Sequence, residues 1–399
     1  MAASRTIVVA GAGIGGLTAA LALARQGFRI VVLEKVERLE EAGAGLQLSP
    51  NASRVLIDLG LGPRLSACAT MPDAISIMSA QRGGEIARLP LGDAAAFRAG
   101  APYWIVHRAD LQAALLAQVN DNPDIELRLG WQFEDAATHA KGITVGQRRG
   151  MSRQQETALA LIGADGVWSQ LRHQLFPDTQ PQFSGLIAWR GTIDARQLPR
   201  ELAARRVQLW MGPNAHLVAY PISGGQKINM VAVLPGTWNR PGWSEPGNPN
   251  DIKNQFSSRW PSASRMMIGA VDDWRRWALF TIRDGGVWSS GPMTLLGDAA
   301  HAMLPFAAQG AGMAIEDASV LAKCLSENSG DSAAGITASL ARYAGARRSR
   351  LARVQRHARQ MGRIYHLGGP AAFARDLVIG ASSAQRLLSR QDWIYDWRA

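Results

Sequence analysis

The sequence predicts a two-domain α/β protein in which a domain built on β-α-β units is combined with an antiparallel sheet. At 399 residues the chain exceeds the usual size of a single domain. Residues 6–34 read as strand, helix and strand, whereas residues 180–283 accumulate tryptophan, proline and glycine. Within that second region, the apolar runs Leu217–Tyr220 and Ile228–Val233 are typical of antiparallel strands.

The N-terminal segment has the pattern of a β-α-β unit. Thr6–Ala10 is a short β-branched run, Leu17–Arg25 is a strong helix former, and Ile30–Leu33 is a second apolar strand. Gly27 is expected to end the helix as its C-cap. This order predicts two parallel strands joined by a crossover helix, as in a Rossmann-type domain.

Later elements extend this domain in separate pieces. The expected elements are a strand and helix over 103–120, a strand at 157–163, a polar loop from Pro235 to Asn250, a strand at Met293–Leu296 and a long helix from about Gly310. We assign 1–74, 101–175 and 284–355 to a discontinuous cofactor domain. Residues 75–100 and 176–283 are assigned to a substrate-binding antiparallel sheet, and 356–399 to a C-terminal helical segment.

Charge and cysteine content restrict the class of protein. The net charge is +11, with an isoelectric point of about 10.4. Part of the excess is a C-terminal series with helical spacing: Arg347, Arg348, Arg350, Arg353, Arg356, Arg359 and Arg363. We interpret this series as a solvated or dimer-contact helix face, because no nucleic-acid-binding motif accompanies it. Cys68 and Cys324 lack metal-ligand spacing, and no leader or membrane-spanning run is evident, so we expect a cytoplasmic protein without a metal.

A glycine-rich motif lies between the first strand and its helix. Gly11-Ala12-Gly13-Ile14-Gly15-Gly16 matches G-x-G-x-x-G, in which Gly11 permits the turn, Gly13 admits a pyrophosphate and Gly16 allows close packing of helix and strand. Glu34 ends the second strand, where a carboxylate can bind a ribose. An acidic residue argues against a 2′-phosphate, so the motif fits FAD or NAD; a turn without a ligand is the alternative.

Two later motifs favour a flavin. Leu296-Gly297-Asp298-Ala299-Ala300-His301 follows a strand, and Asp298 can hydrogen-bond a ribityl chain. The helix expected near Gly310 offers backbone N–H groups to the N1–C2=O edge of the flavin. In Ile162–Ser169, Asp165-Gly166 reads as a tight strand-to-helix turn and Ser169 as a cap, whereas His301 reads as a structural residue.

These motifs, in this order, resemble those of the class A flavoprotein monooxygenases, the family of p-hydroxybenzoate hydroxylase. Gly43–Asn51, His107–Leu111 and Ala188–Gly191 also match, and the likeness covers about residues 5–365. Within the family, the chain is most similar to the branch of salicylate hydroxylase and 3-hydroxybenzoate 6-hydroxylase. The resemblance implies a Rossmann-type FAD-binding domain, an antiparallel substrate domain and C-terminal helices.

The resemblance also implies one non-covalent FAD and specific contacts to it. Arg108 is implied to reach the phosphates, Glu34 the adenosine ribose and Asp298 the ribityl chain, while the Asp165-Gly166 segment serves FAD and NAD(P)H together. The expected cofactor-binding set is Gly11, Gly13, Ile14, Gly15, Gly16, Glu34, Lys35, Arg38, Gly45, Gln47, Arg108, Asp165, Gly166, Asp298, Pro305, Gly310 and Ala311, with Gln112 as a further candidate.

The catalytic candidates are His216, Tyr220 and Gln309, which look like the polar triad of 3-hydroxybenzoate 6-hydroxylase. His216 and Tyr220 lie four residues apart in a predicted strand and so face one side of it. A flavin hydroperoxide attacks electron-rich carbon, so a phenolate reacts better than a phenol. A histidine titrating near pH 6.5, or a tyrosine relaying to it, can take that proton. The alternative is three hydrogen-bonded residues of a pocket wall.

The expected reaction converts a hydroxybenzoate- or salicylate-like acid, NAD(P)H and O₂ to a dihydroxylated acid, water and NAD(P)⁺. Hydroxynicotinate is the alternative substrate, but its hydroxylases tend to carry histidine where this chain has Gln47. A flavin halogenase would show Trp-x-Trp-x-Ile-Pro, and the chain has only Trp274-Arg275-Arg276-Trp277. A non-flavin dehydrogenase would leave Asp298 unexplained. We expect a monomer or homodimer.

Overall fold

The structure, a computed structural model, describes residues 5–39, 45–93, 96, 99–240, 242–256, 260–327 and 332–399. Its strands are β1 Thr6–Ala10, β2 Arg29–Glu34, β3 Gly45–Leu48, β4 Ala74–Ser79, β5 Gly84–Pro90, β6 Trp104–His107, β7 Ile125–Leu129, β8 Gln132–His139, β9 Gly142–Arg149, β10 Ser152–Ala158, β11 Ala160–Gly163, β12 Gln182–Asp194, β13 Arg206–Gly212, β14 Ala215–Ile222, β15 Lys227–Pro235, β16 Ser244–Gly247, β17 Trp274–Thr281, β18 Ser289–Ser290 and β19 Met293–Leu295.

The α-helices with described bounds are α1 Ile14–Ala24, α2 Pro50–Asp58, α3 Gly62–Cys68, α4 Arg108–Asn120, α5 Gln170–Leu175, α6 Pro249–Gln255, α7 Ser262–Gly269, α8 Asp298–His301, α9 Gly310–Ser326, α10 Ala333–Tyr365, α11 Gly369–Gly380, α12 Ala384–Ser389 and α13 Asp392–Tyr395. No helix of the described ranges is long and apolar enough to cross a bilayer.

A six-stranded sheet forms the first layer, in the order β18-β19-β11-β1-β2-β7. Central strand β1 pairs parallel with both β2 and β11, so Val9 lies between Val32 and Ile162. These apolar strands are buried on both faces, as parallel sheets require. The predicted β-α-β unit is therefore confirmed, and Gly27 adopts the left-handed conformation (φ +78°) just beyond α1.

The second large sheet has eight strands in the order β16-β17-β12-β15-β14-β13-β4-β5. It is antiparallel except where β13 pairs parallel with β4. One face packs Leu217, Ala219 and Met230 into a core with residues of α6 and α7. The opposite face carries Val218 and Tyr220 towards residues of β5 and β6. The mixed α/β fold agrees with the prediction, while the domain boundaries stay a prediction.

Two predicted elements differ from the structure. The expected polar loop from Pro235 to Asn250 is wrong in part, because Ser244–Gly247 forms edge strand β16 against β17. The expected strand over 157–163 is divided at Leu159, whose backbone N–H donates to Thr6 O (2.8 Å). Its first part ends a three-stranded sheet of β8, β9 and β10, and its second part is β11 of the parallel sheet.

The interpretation of the C-terminal arginines as a solvated face is wrong for two of them. Arg347 is only 1% exposed, and its guanidinium pairs with Glu316 (2.7 Å) and Asp317 (2.6 Å) of α9. Arg350 also pairs with Glu316 (2.6 Å) and stacks on Trp397. The physical reason is that both lie on the face of α10 that packs against α9. The remaining arginines of the series are exposed: Arg348, Arg353, Arg356, Arg359 and Arg363.

Candidate active site

The glycine-rich turn between β1 and α1 combines two crowded positions with one open position. A Cβ added at Gly16 would lie 1.9 Å from Gly11 O, and one at Gly11, where φ is +110°, would lie 2.4 Å from Ala164 O. A Cβ at Gly13 would meet nothing within 4 Å. Gly11 and Gly16 are thus needed for packing, whereas Gly13 keeps the backbone open to a ligand.

The N-terminus of α1 offers an anion site beside this turn. Within the described chain, no side chain caps the helix and its first turn carries no acidic residue. Its first N–H groups therefore remain available at the positive end of the helix dipole. Glu34 lies next to the turn, because its Oε2 accepts from Ala12 N (2.8 Å) and its Oε1 from Val36 N (3.1 Å). Lys35 and Arg38 follow as exposed residues.

The Gly297-Asp298 turn lies against the same helix. A Cβ added at Gly15 would lie 2.8 Å from the Leu296 side chain and 3.1 Å from that of Ala314. Gly297 has φ +63° and donates its N–H to Asp317 Oδ2 (3.0 Å), while Asp298 is exposed. Two motifs nearly 300 residues apart in the chain therefore meet through α9 and the end of β19.

A third contribution comes from the β3–β6 pair. Gly45 pairs with His107, so Arg108, the exposed first residue of α4, lies next to the Gly45–Gln47 segment. Gln112, one turn further along α4, donates to Ala12 O (3.4 Å) in the glycine turn. Gly43 and Ala44 of the matched motif lie outside the described residues.

The Asp165-Gly166 turn connects β11 to α5. Asp165 Oδ2 accepts from Gln170 N (2.8 Å) and Leu171 N (3.3 Å), and burial raises the pKa of this carboxyl. Ser169 accepts from Arg172 N (2.9 Å), which confirms the predicted cap. The Asp165 carboxylate is therefore engaged with the start of α5, and its role towards a nucleotide stays a prediction.

The start of α9 completes the cofactor side. Pro305–Ala307 forms a single 3₁₀ turn, after which Gln309 is the N-cap and Gly310 and Ala311 begin the helix. No acidic residue lies in the first turn of α9, which the structure describes in full. Its free N–H groups suit the developing negative charge of a reduced flavin ring.

Taken together, these residues fit FAD. The glycine turn leaves open space at Gly13 and an uncapped helix N-terminus for the diphosphate. Glu34 lies at the adjacent strand end for the adenosine ribose, and Asp298 projects an exposed carboxylate for the ribityl hydroxyls. The start of α9 supplies backbone donors for the ring.

His216 is a buried residue of β14, facing the cofactor side. Its side chain is 3% exposed, and its Nδ1 lies 2.8 Å from Nε2 of His366, at the end of α10. The rings of Phe306 and Tyr365 pack against it, with centroids at 5.2 and 5.4 Å. Burial, reinforced by His366, lowers the pKa of His216 well below 6.5, so the expectation that it titrates near 6.5 is wrong.

Tyr220 lies on the same face of β14 but contacts a different structure. Its hydroxyl donates to Gly45 O (2.7 Å), and a Cβ at Gly45 would lie 2.5 Å from its ring. Burial raises the pKa of Tyr220 to about 12. The expected relay from Tyr220 to His216 is not seen in the ranges the structure describes, because each side chain takes another partner.

Gln309 is 2% exposed and joins two elements of the cofactor side. Its Nε2 donates to Ser49 Oγ (2.9 Å), and its Oε1 accepts from Asn51 Nδ2 (3.1 Å). Asn51 also donates to Glu316 Oε1 (2.7 Å), the carboxylate that pairs with Arg347. The amide of Gln309 is therefore fixed at the start of α9. Its contact with substrate stays a prediction.

Two features of the site were not predicted from the sequence. Arg190 follows Ala188 by two residues on β12, so it faces the side on which Ala188 packs against Phe306. Its Nε is shut off from solvent, and within the described ranges the guanidinium pairs with no carboxylate. The second feature is Asp317, which accepts from His301 (2.5 Å) and Arg347, and whose pKa falls to about 2 because these two groups outweigh its burial.

Comparisons with known proteins agree with this geometry. The family model described as an FAD binding domain matches residues 4–358. The 3-hydroxybenzoate 6-hydroxylase of Klebsiella oxytoca is 34% identical over 398 residues, which cover 100% of this chain and 98% of that protein. The chain belongs to the class A flavoprotein monooxygenases. Membership confirms the predicted resemblance and FAD as the cofactor of the monooxygenase.

Two further relatives lie within the same family. A 3-amino-4-hydroxybenzoate 2-monooxygenase of Streptomyces platensis is 38% identical over 395 residues, 98% of this monooxygenase and 96% of that protein. The solved structure of a salicylate hydroxylase substrate complex superposes with a TM-score of 0.83 at 25% identity, covering 99% of this chain and 96% of that one. The fold expected from the resemblance is therefore confirmed.

Proposed function

We propose that this monooxygenase hydroxylates a small phenolic aromatic acid, similar to 3-hydroxybenzoate or salicylate, with NAD(P)H and O₂. The observation that carries the proposal is the composition of the side of the large sheet that faces Phe306. It combines a buried neutral histidine, His216, with an unpaired guanidinium, Arg190. The names of the three relatives described above specify hydroxylated benzoates and support the same substrate class.

The chemistry supplied by bound FAD is hydride acceptance from NAD(P)H and activation of O₂. The chain would hold the cofactor through the glycine turn, Glu34, Arg108, Asp298 and the start of α9. Tyr220 contributes by fixing Gly45, since its hydroxyl and Asn229 Oδ1 bind the two backbone groups of that residue. These two hydrogen bonds hold strand β3 next to strands β14 and β15 of the large sheet.

His216 is the proposed acceptor of the phenolic proton. Because burial lowers its pKa, the ring is neutral at pH 7 and can accept. Its Nδ1 is engaged with His366, whereas Nε2 makes no hydrogen bond to another group of the described ranges. The proton would pass from the substrate hydroxyl to Nε2, leaving a phenolate next to an imidazolium.

Arg190 is the proposed partner of the substrate carboxylate. Its Nε has no hydrogen-bond partner in the described ranges, and its guanidinium carbon lies 5.6 Å from the ring centroid of Trp277. Burial lowers the pKa of this guanidinium, with Tyr220 opposing and Arg108 adding to that effect. An unpaired, partly buried guanidinium is costly, and a carboxylate offers it two parallel hydrogen bonds.

The proposed function is tested by substrate-stimulated NADH and NADPH oxidation with the purified yellow protein. The panel contains 3-hydroxybenzoate, salicylate, 3-amino-4-hydroxybenzoate, 6-hydroxynicotinate and unsubstituted benzoate, with products identified by mass spectrometry. We expect a product 16 mass units heavier from at least one phenolic acid, and none from benzoate. A hydroxylated product from 6-hydroxynicotinate would instead identify hydroxynicotinate, the alternative substrate. Oxidation without any oxygenated product would contradict the proposal.

Arg190→Met sharpens the test, because it removes the charge while keeping the chain length. We expect a higher KM for the acid with little change in KM for the corresponding uncharged phenol.

We also propose a cytoplasmic monomer or homodimer, supported by the two free thiols Cys68 and Cys324. Sedimentation of the holoenzyme and cell fractionation measure these two properties.

A further inference from the structure

His366 connects the C-terminal helix to the active-site histidine across 150 positions of sequence. Its Nε2 lies 2.8 Å from Nδ1 of His216, and the two rings are tilted by 39° with centroids 5.1 Å apart. The distance is that of a direct hydrogen bond between the two rings. A bond of this kind requires one ring to donate and the other to accept, so each ring constrains the tautomer of the other.

The position of His366 is fixed by backbone contacts on both sides. Its N–H donates to Gly362 O (3.2 Å), and its carbonyl accepts from Asn214 N (3.0 Å) in the turn before β14. A Cβ at Gly362 would lie 2.5 Å from the ring of Phe306, so α10 lies tightly against the wall of the site. These contacts therefore fix the position of the His366 ring at the end of α10.

We propose that His366 is a positioning residue that holds His216 in the tautomer with hydrogen on Nδ1, leaving Nε2 as the acceptor of the substrate's phenolic proton. This inference rests on the proposed function. In it, the O–H bond of the phenol breaks, an N–H bond forms at Nε2 of His216, and the Nδ1–H of the resulting imidazolium stays bonded to His366. The second imidazole acts as the neutral counterpart of the carboxylate that orients histidine in hydrolase triads.

Few charged groups face the pair in the described part of the chain, and on β12 the charged side chain of this face is Arg190, two residues beyond Ala188. On β14 the nearest titratable group is Tyr220, and on α10 it is Tyr365, whose pKa burial raises to about 12. The 3₁₀ turn contributes only Phe306. Arg375 donates to the carbonyls of Ile364 and Tyr365 and pairs with Asp376, so its charge is already balanced behind the helix.

The experiment compares three substitutions in the FAD-loaded protein. His366→Phe keeps a ring and removes the acceptor, whereas His366→Gln retains an acceptor for the Nδ1 hydrogen. Arg363→Gln, an exposed change on the last turn of α10, is the matched control. The first readout needs no substrate: ¹⁵N NMR of labelled histidine reports the tautomer of His216. We expect hydrogen on Nδ1 in the wild type, the control and His366→Gln, and on Nε2 in His366→Phe.

The second readout is the absorbance of the bound phenolic acid on the oxidised enzyme, which distinguishes phenolate from phenol. We expect His366→Phe to lose the phenolate band at neutral pH, to shift the pH profile of kcat towards higher pH, and to lower product formation by about 10- to 100-fold, the range for losing a histidine's orienting partner at metal sites. KM should change little, and His366→Gln should restore the band.

The outcomes separate this inference from the proposed function. Hydrogen on Nε2 of His216 in the wild type would overturn the inference whatever the substrate is. An unchanged phenolate band and pH profile in His366→Phe would also overturn it, while wild-type hydroxylation would leave the proposed function standing. Failure of the wild type to hydroxylate any acid of the panel would instead remove the proposed function, and the NMR result would still decide the tautomer.

Discussion

The glycine turn at residues 11–16 and the wall around His216 are built in opposite ways. The turn is made of consecutive residues whose constraints are local, since Gly11 and Gly16 are required by contacts within one β-α-β unit. The region around His216 instead depends on contact between distant parts of the chain, since His216 meets His366 across 150 positions of sequence. We therefore expect cofactor binding and proton handling to respond separately to mutation.

The largest expected effect is at Arg347, which joins α10 to α9 through two buried carboxylates. Arg347→Met leaves the buried carboxylates of Glu316 and Asp317 without one partner, and breaking such a pair costs about 3–5 kcal/mol. Chemical denaturation measures the change in free energy of unfolding. The control is Arg356→Gln on the exposed face of the same helix, which we expect to stay within about 0.5 kcal/mol of the wild type. Equal losses in the two variants would contradict the account.

A pair of glycine substitutions tests the cofactor side. Gly16→Ala forces a methyl group against Gly11 O and should cost at least about 1–3 kcal/mol of stability. Gly13→Ala meets no protein atom within 4 Å, so stability without flavin should be unchanged while FAD affinity falls. Thermal melting without flavin and FAD titration separate the two effects. If Gly13→Ala keeps full affinity, the diphosphate does not approach this position.

Asp298→Ala is expected to act on the cofactor alone. The exposed carboxylate should lose a charge-assisted hydrogen bond to the ribityl chain, worth roughly 1.5–3 kcal/mol of binding. Fluorescence titration with FAD gives the change in Kd. An affinity equal to that of the wild type would remove the ribityl assignment.

The smallest effect concerns acid stability. Burial lowers the pKa of His366 to about 4 and that of His216 well below its usual value, while both titrate near 6.5 in an unfolded chain. The unfolded chain therefore binds more protons between about pH 4 and 6.5, and stability falls as the pH drops through that interval. His366→Phe should show a shallower fall in Tm than the wild type, whereas His139→Gln, at an exposed histidine, should match the wild type. Identical slopes in all three proteins would contradict this.

The sequence could predict the local glycine turn but not the long-range contact of His216. The roles of Gly11, Gly13 and Gly16 could be derived because each depends on backbone contacts within one local motif. The burial of Arg347 could also have been predicted. This residue falls in the series Leu340, Ala344, Arg347, Leu351 and Val354, whose spacing is that of one buried helix face. The His216–His366 contact left no such signal, because the packing of α10 against β14 is set by the whole fold and not by any short pattern.

The central claim is that the wall around His216 governs oxygen transfer and does not govern flavin binding. The most direct test is the ratio of hydroxylated product to NAD(P)H oxidised in His216→Ala, saturated with FAD. The account predicts an unchanged FAD Kd, continued substrate-stimulated NAD(P)H oxidation, and a fall in the hydroxylation rate of roughly 10²–10⁴-fold, with hydrogen peroxide replacing product. A wild-type ratio of product to NAD(P)H, with the same dependence on pH, would contradict it.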